Sequence, residues 1–314
     1  MSNVPIASHA MLSDCHSAAL VTSDGSVDWL CFPRFDSPSV FGRLLDDAAG
    51  HWSIRPAGDY TSRRRYLDGT LVLETTFRAS RGVVVLTEAL VLGAGSGAHD
   101  VGRDVPHLLV RSVTCREGTV DMDITYAPRP EYGLLHPLLS PVEGGVTARG
   151  GAEWLVLTSP VPSAVESSTA TARVPMAAGA TLVFALHRST LEEQPARVWS
   201  QDELTGQLAG TIAAWRSWSA LHQNYAGPWR DLVRHSGCVL QGLTFRPSGA
   251  IVAAATTSLP ESVGGERNWD YRYSWVRDAS FTMEALWVAA CPDEAGDFFA
   301  FMTTAAAAAI GPET

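Results

Sequence analysis

Several features that would announce a function at once are missing from this chain. No run of five to eight basic residues occurs; the nearest, Arg63-Arg64-Arg65, is short and reads as a strand flank or solvated turn. Lys plus Arg total 23 against 33 Asp plus Glu, a formal net charge of -10. Such a surface does not attract polyanions, so nucleic acid is not expected as a partner. The five cysteines, at 15, 31, 115, 238 and 291, are odd in number and form no CxxC pair. That spacing argues against a disulfide framework and fits buried, reduced thiols in a cytoplasmic protein. His9, His16, His51 and His107 show no metal-ligand spacing, and HExxH is absent. Gly93, Gly95 and Gly97 lack the gaps of a nucleotide fingerprint, and no nucleophile elbow surrounds Gly25-Ser26. Met1 to Met11 lack a secretion signal, and Phe298 to Ile310 is too short to span a bilayer. The expectation is a protein without cofactor, metal or membrane partner, in the cytoplasm.

What is present suits large cores. Apolar residues make up 46% of the 314 and charged residues 18%, enough for two domains. Up to about Arg188 the pattern is that of strands: Thr70–Phe77, Val83–Leu90, His107–Cys115, Thr119–Tyr126, Glu153–Thr158 and Thr181–His187. Asp68-Gly69, Arg81-Gly82, Glu117-Gly118 and Gly150-Gly151 read as the turns between such segments. Short strands without intervening helices imply an antiparallel sandwich. After Trp199 the apolar period becomes helical. Helices are expected over Asp202–His222, from Trp229 to a stop at Pro247 and Gly249, over Asp278–Ala290 and over Asp293–Ile310. The division expected is a sandwich domain at 1–200, a linking helix at 201–225 and a helical part at 226–314. Each helix has an apolar stripe that needs a partner, so more helices are expected beyond Gly311-Pro312-Glu313-Thr314, and the chain alone is expected to aggregate.

The densest chemistry lies between Glu266 and Asp278: four aromatics, three arginines and three acids, besides Asn268. Such a segment neither alternates as a strand nor makes a one-sided helix. It reads as a loop entering a helix at Asp278, with a tight bend at Gly264-Gly265. Sugar recognition uses this kind of surface, because hydroxyls need fixed charged partners while ring C–H faces stack on aromatics. Arg277 and Asp278 could hold neighbouring hydroxyls, with Trp275 or Tyr271 as a wall. The plainer alternative is an Arg277 ion pair and an Asp278 that caps the helix. Asp14, His16, Asp28 and Asp36 fit turn and cap roles better than a site.

The segment from Asn268 to Asp278, with Pro247 to Glu261 before it, resembles the start of the catalytic domain of glycoside hydrolase family 15, the glucoamylase and trehalase-like family. Ser13 to Val21 and Asp24 to Phe41 resemble the N-terminal domain of its bacterial members. The resemblance implies a multidomain β + α chain: an antiparallel β-sandwich followed by the first helices of an (α/α)6 barrel. Arg277 and Asp278 would grip the innermost glucose, beside Trp275 and Tyr271. The family inverts, using a general acid and a general base. Both glutamates are expected beyond Thr314, so no catalytic residue is assigned; Glu261, Glu266 and Glu284 match neither. The implied substrate is an α-glucoside, trehalose or a short maltooligosaccharide, and this chain alone is expected to be inactive. A non-catalytic carbohydrate-binding or interaction module is the other reading.

Overall fold

The computed structural model describes residues 4–93, 95–151, 153–190, 197–221, 225–257, 259, 262, 265–288 and 292–309. Alternation sets the strands. In Leu73–Ala79 the side chains of Leu73, Thr75 and Phe77 are buried, and those between them are less so, as in a sheet with one wet face. Fifteen strands pair antiparallel in a sheet that bends into two layers. From one edge, His9–Ser13, Ala18–Thr22, Ser26–Cys31 and His51–Pro56 lead to the long strand Leu108–Ala127. Beyond it follow Thr181–Thr190, Glu153–Thr158, Gly145–Gly150 and Leu138–Val142.

Each of the six expected strand segments overlaps a strand, although Thr70–Val72 and His107 precede theirs, and two of the six are one strand. Leu108–Ala127 runs without a turn through Glu117-Gly118. Its first half pairs with Gly82–Leu90 and Thr181–Thr190, its second with His51–Pro56 and Thr169–Ala177. Val83 pairs with Glu117 and Val84 with Cys115, a bulge that redirects the strand from one layer to the other. Gly118 sits there at φ 67, and a Cβ would meet Arg81 O at 2.0 Å. Arg63-Arg64-Arg65 is also corrected: it occupies the middle of strand Tyr60–Tyr66, where Arg65 pairs with Glu74 across the ladder.

Among the described residues, four α-helices follow the sandwich: α1 Gln201–Leu221, α2 Arg230–Gly242, α3 Val276–Val288 and α4 Pro292–Ala309. A capping box opens α1, with Ser200 N–H donating to Glu203 Oε2 at 2.9 Å and Glu203 N–H to Ser200 Oγ at 3.3 Å. The helix α2 ends at Gly242, earlier than expected, because Pro247 and Gly249 instead turn a small hairpin of Thr244–Phe245 with Ala250–Ile251. Likewise α3 starts at Val276, not Asp278. The expected stop at Gly311-Pro312 lies outside the described residues. A second core seals helices to sandwich: Leu71, Val72 and Leu92 meet Trp215 and Trp218 of α1, Cys238 of α2, Leu286 of α3 and Phe298 of α4. Trp218 Nε1 donates to Glu294 Oε1 at 2.8 Å, tying α1 to α4. Phe281, Trp287, Val288 and Phe299 of α3 and α4 remain exposed.

At the centre of the sandwich a charged pair is completely enclosed. Arg111 donates to Glu88 Oε1 (2.7 Å), Trp52 O (2.7 Å) and Gly25 O (2.6 Å), with its guanidinium 4.7 Å from the Trp52 ring centroid. Both side chains have no exposure. Removing one partner of such a pair strands the other charge in a low-dielectric core. Glu88→Ala should therefore destabilise by about 3–5 kcal/mol, read as a lower denaturant midpoint; a midpoint within error of the parent would show that Arg111 finds other compensation.

Candidate functional site

The charged aromatic segment finds its backbone partners in another loop. Ala254 N–H donates to Tyr271 O at 2.8 Å and Ala253 N–H to Tyr273 O at 3.1 Å. Ser274 Oγ donates to Ile251 O at 2.8 Å. These bonds pair residues 251–254 with 271–274 at the foot of α3. The indole of Trp29, on strand Ser26–Cys31, donates to Ala255 O at 2.9 Å and holds the loop from the sandwich side.

Arg272 makes the firmer tie. Its side chain is buried, and Nε and Nη2 grip the Asp270 carboxylate at 3.0 and 2.7 Å. Nη1 donates to Phe35 O (3.2 Å) and Ser37 O (2.7 Å), and Nη2 to the Tyr132 hydroxyl (3.0 Å). One guanidinium thus joins its own loop to two distant loops of the sandwich through its fork of donors. Burial works against charge on Arg272, but Asp270, Cys31 and Tyr132 outweigh it and hold its pKa above the usual value. Burial also raises the Asp270 carboxyl, and the Arg272 bonds overcome this and keep it below the usual range. Burial pushes the adjoining Cys31 thiol up to about 12, so a neutral thiol lies against the cation.

The expected sugar contacts sit on and beside this loop. Tyr271 and Trp275 stack with centroids 5.3 Å apart at 26°, and Trp269 meets Trp275 edge-on at 6.4 Å. Trp275 Nε1 donates to Asp270 O at 3.4 Å. Arg277 and Asp278 occupy the first turn of α3, with 3.5 Å between Nη2 and Oδ2 and side chains 77% and 42% exposed. The pair presents a donor fork and an acceptor at an open surface. Asp278 lies within the helix, two residues past its start, where the positive end of the helix dipole favours a carboxylate. Glu266 and Glu284 are exposed; Glu261 and Gly264 lie outside the described residues. Among the described residues, no group of three His, Cys, Asp or Glu side chains gathers as a metal site.

Sequence reasoning left Arg272, Asp270, Tyr132 and Trp29 without roles. The Asp-x-Arg spacing was a local signal for the first pair. Tyr132 and Trp29 gave none, since their partners lie more than a hundred residues away in the chain. Of the residues read as turn formers, Asp14 and Asp36 behave so. Asp14 Oδ1 accepts the N–H groups of His16 (2.9 Å) and Ser17 (2.7 Å), and Asp36 pairs with Arg34 in its own loop. His16 Nε2 bonds Gly102 O at 2.8 Å. Asp28 differs: it is buried within strand Ser26–Cys31 and meets Ser26 Oγ (2.6 Å), Arg43 (2.8 Å) and His9 (3.7 Å).

A two-layer antiparallel sandwich feeding a run of helices, with an aromatic and charged loop at their junction, is a β-sandwich joined to the start of an α/α toroid. Residues 1–207 match the family described as trehalase-like, N-terminal, and residues 227–311 match glycosyl hydrolases family 15. The chain belongs to the trehalase-like N-terminal family, and its helical part resembles family 15. It is 39% identical to a trehalase of Mycobacterium tuberculosis, over 95% of this chain and 46% of the relative. A trehalase of Mycolicibacterium smegmatis is 37% identical over 98% and 48%, and trehalase 1 of Sulfolobus acidocaldarius 36% identical over 86% and 43%. The chain thus spans about half the length of these curated relatives.

Asp14 has a consequence for stability. Burial pushes its carboxyl up to about 7, although the His16 and Ser17 N–H groups pull it down. An unfolded Asp titrates near ~3.9, so the folded state binds the extra proton between about pH 4 and 7, and stability falls as pH rises through that window. Asp14→Asn keeps an acceptor for both N–H groups and removes the ionisation. It should flatten this decline, which is at most ~1.4 kcal/mol per pH unit, in denaturant midpoints taken from pH 4 to 8. An equal slope in both proteins would rule Asp14 out as its source.

Proposed function

We propose that this chain supplies the sandwich and one wall of a glucose pocket to an enzyme that hydrolyses α-glucosidic bonds with inversion and releases glucose. The observation that carries the reading is the Arg277–Asp278 pair beside the Tyr271–Trp275 stack, within the segment that matches family 15. A guanidinium and a carboxylate 3.5 Å apart can bind two neighbouring hydroxyls of one pyranose, and the stacked rings can cover its C–H face. Charged partners at fixed positions orient the sugar, which lowers the entropic part of the barrier. Inversion further needs a carboxylic acid at the glycosidic oxygen and a carboxylate to activate water, roughly 6.5–9.5 Å apart. No glutamate of this chain takes either role in the reading.

The proposed substrate is trehalose or a short α-glucoside, since these matched relatives are named trehalases. The same reading divides the chain into sandwich at 1–200, linking helix at 201–225 and catalytic helical part from 226. The location proposed is the cytoplasm, supported by the buried free thiols of Cys15, Cys31, Cys115 and Cys238. No described helix is long and apolar enough to cross a membrane.

The purified 314-residue chain should release no glucose from trehalose or maltose, whereas a longer protein that carries it should. In that longer protein Asp278→Ala should lower kcat/KM roughly 10- to 100-fold, the loss of a charged hydrogen bond of about 1.5–3 kcal/mol. Near-parental kcat/KM in D278A would remove Asp278 from the site.

A further inference from the structure

A second feature with the chemistry of sugar recognition lies on the seam between sandwich and helices. There the Arg34–Asp36 loop faces the Thr244–Ile251 hairpin and the Tyr273–Ser274 step across a cavity of about 400 Å³. Small-ligand sites run from about 300 to 1,000 Å³, so one sugar ring fits with room for its substituents. Phe35, Phe245, Tyr273 and Phe301 give it aromatic walls. Phe35 meets Phe245 edge-on at 6.5 Å, and the Arg34 guanidinium stands 5.0 Å from the Phe245 ring centroid. Arg34 Nε and Nη2 also donate to the two Asp36 oxygens at 2.9 and 3.1 Å. Ring below and carboxylate beside hold the guanidinium in one plane before any ligand arrives. The hydroxyls of Ser248 and Ser274 add polar groups to the lining.

We propose that this cavity is a saccharide site for one pyranose ring of an α-glucoside, distinct from the Arg277–Asp278 pair, which does not line it. A pyranose has an apolar C–H face for the aromatic walls and a rim of hydroxyls. Asp36 and Arg34 can accept from and donate to two adjacent hydroxyls, as the hydroxyls of Ser248 and Ser274 can elsewhere in the lining. Because Arg34 and Asp36 neutralise each other, the mouth suits an uncharged ligand better than an anion or a cation. Arg272 closes one side, and its bonds to Phe35 O and Ser37 O fix the Arg34–Asp36 loop from behind. The ligand class rests on the α-glucoside reading above, whereas the place of the site rests on this geometry.

The test is an amide chemical-shift titration of the isotope-labelled 314-residue chain with maltose and with trehalose, using sorbitol as an acyclic polyol control. Amides of residues 34–37 and 245–250 should shift and saturate with at least one disaccharide and not with sorbitol. Arg34→Ala and Tyr273→Ala alter exposed side chains, and matched melting curves establish that each variant folds. Each should weaken the affinity read at these amides roughly tenfold, while Asp278→Ala should leave it unchanged. The proposal is overturned if these amides stay still with both sugars, if sorbitol moves them equally, or if folded R34A and Y273A bind as the parent does. Hydrolysis by a longer protein separates the two readings. Turnover without shifts here removes this site alone, and shifts here without turnover keep this site and remove the glucosidase reading.

Discussion

A buried guanidinium that reaches three separate stretches of chain holds the junction of this molecule together. Arg272 binds Asp270 in its own loop, the carbonyls of Phe35 and Ser37 in one sandwich loop, and the hydroxyl of Tyr132 in another. Removing such a group from water is costly unless every donor finds a partner. Here the partners come from both halves, so the charge is satisfied only when sandwich and helical part are docked in one arrangement. The backbone bonds of Ala253 and Ala254, the Tyr271–Trp275 stack and the start of α3 all follow directly from that loop.

The same solution recurs inside the sandwich. Arg111 is likewise held by one acid, Glu88, and by backbone carbonyls from separate strands and turns. In both places the apolar surroundings provide the bulk of the stabilisation, while the forked cation selects one registration among those that bury similar area. The second hydrophobic core between sandwich and helices acts in concert: it supplies area, and Arg272 supplies position. For the proposed sugar contacts this division matters, because hydroxyl recognition depends on donors and acceptors held to within fractions of an ångström.

Much of the architecture could be read from periodicity. Apolar runs such as Val83–Leu90, and the helically spaced apolar residues of α1, stand in elements of the type the pattern implied. Strands near the start were not legible: Ala18–Thr22 and Ser26–Cys31 are buried throughout, so no polar face marks their period. The bulge at Gly118 mimicked a turn because a glycine at positive φ serves both, and only the pairing of the flanking residues separates them. At the junction, composition singled out the segment that forms the charged aromatic loop, and the stack of Tyr271 on Trp275 is local enough to be anticipated. The seam cavity was not, since Arg34 and Phe245 lie over two hundred residues apart and meet only through the fold.

Hydrogen exchange in Arg272→Lys tests the central claim most directly. Lysine keeps the charge but lacks the fork, so it cannot serve Asp270, Phe35, Ser37 and Tyr132 together. The expected result is faster exchange at the Ala253 and Ala254 amides, with unchanged protection in the sandwich strands Gly82–Leu90 and Leu108–Ala127. Parental protection at Ala253 and Ala254 in R272K would contradict the account and show that the junction loop is held without the Arg272 fork.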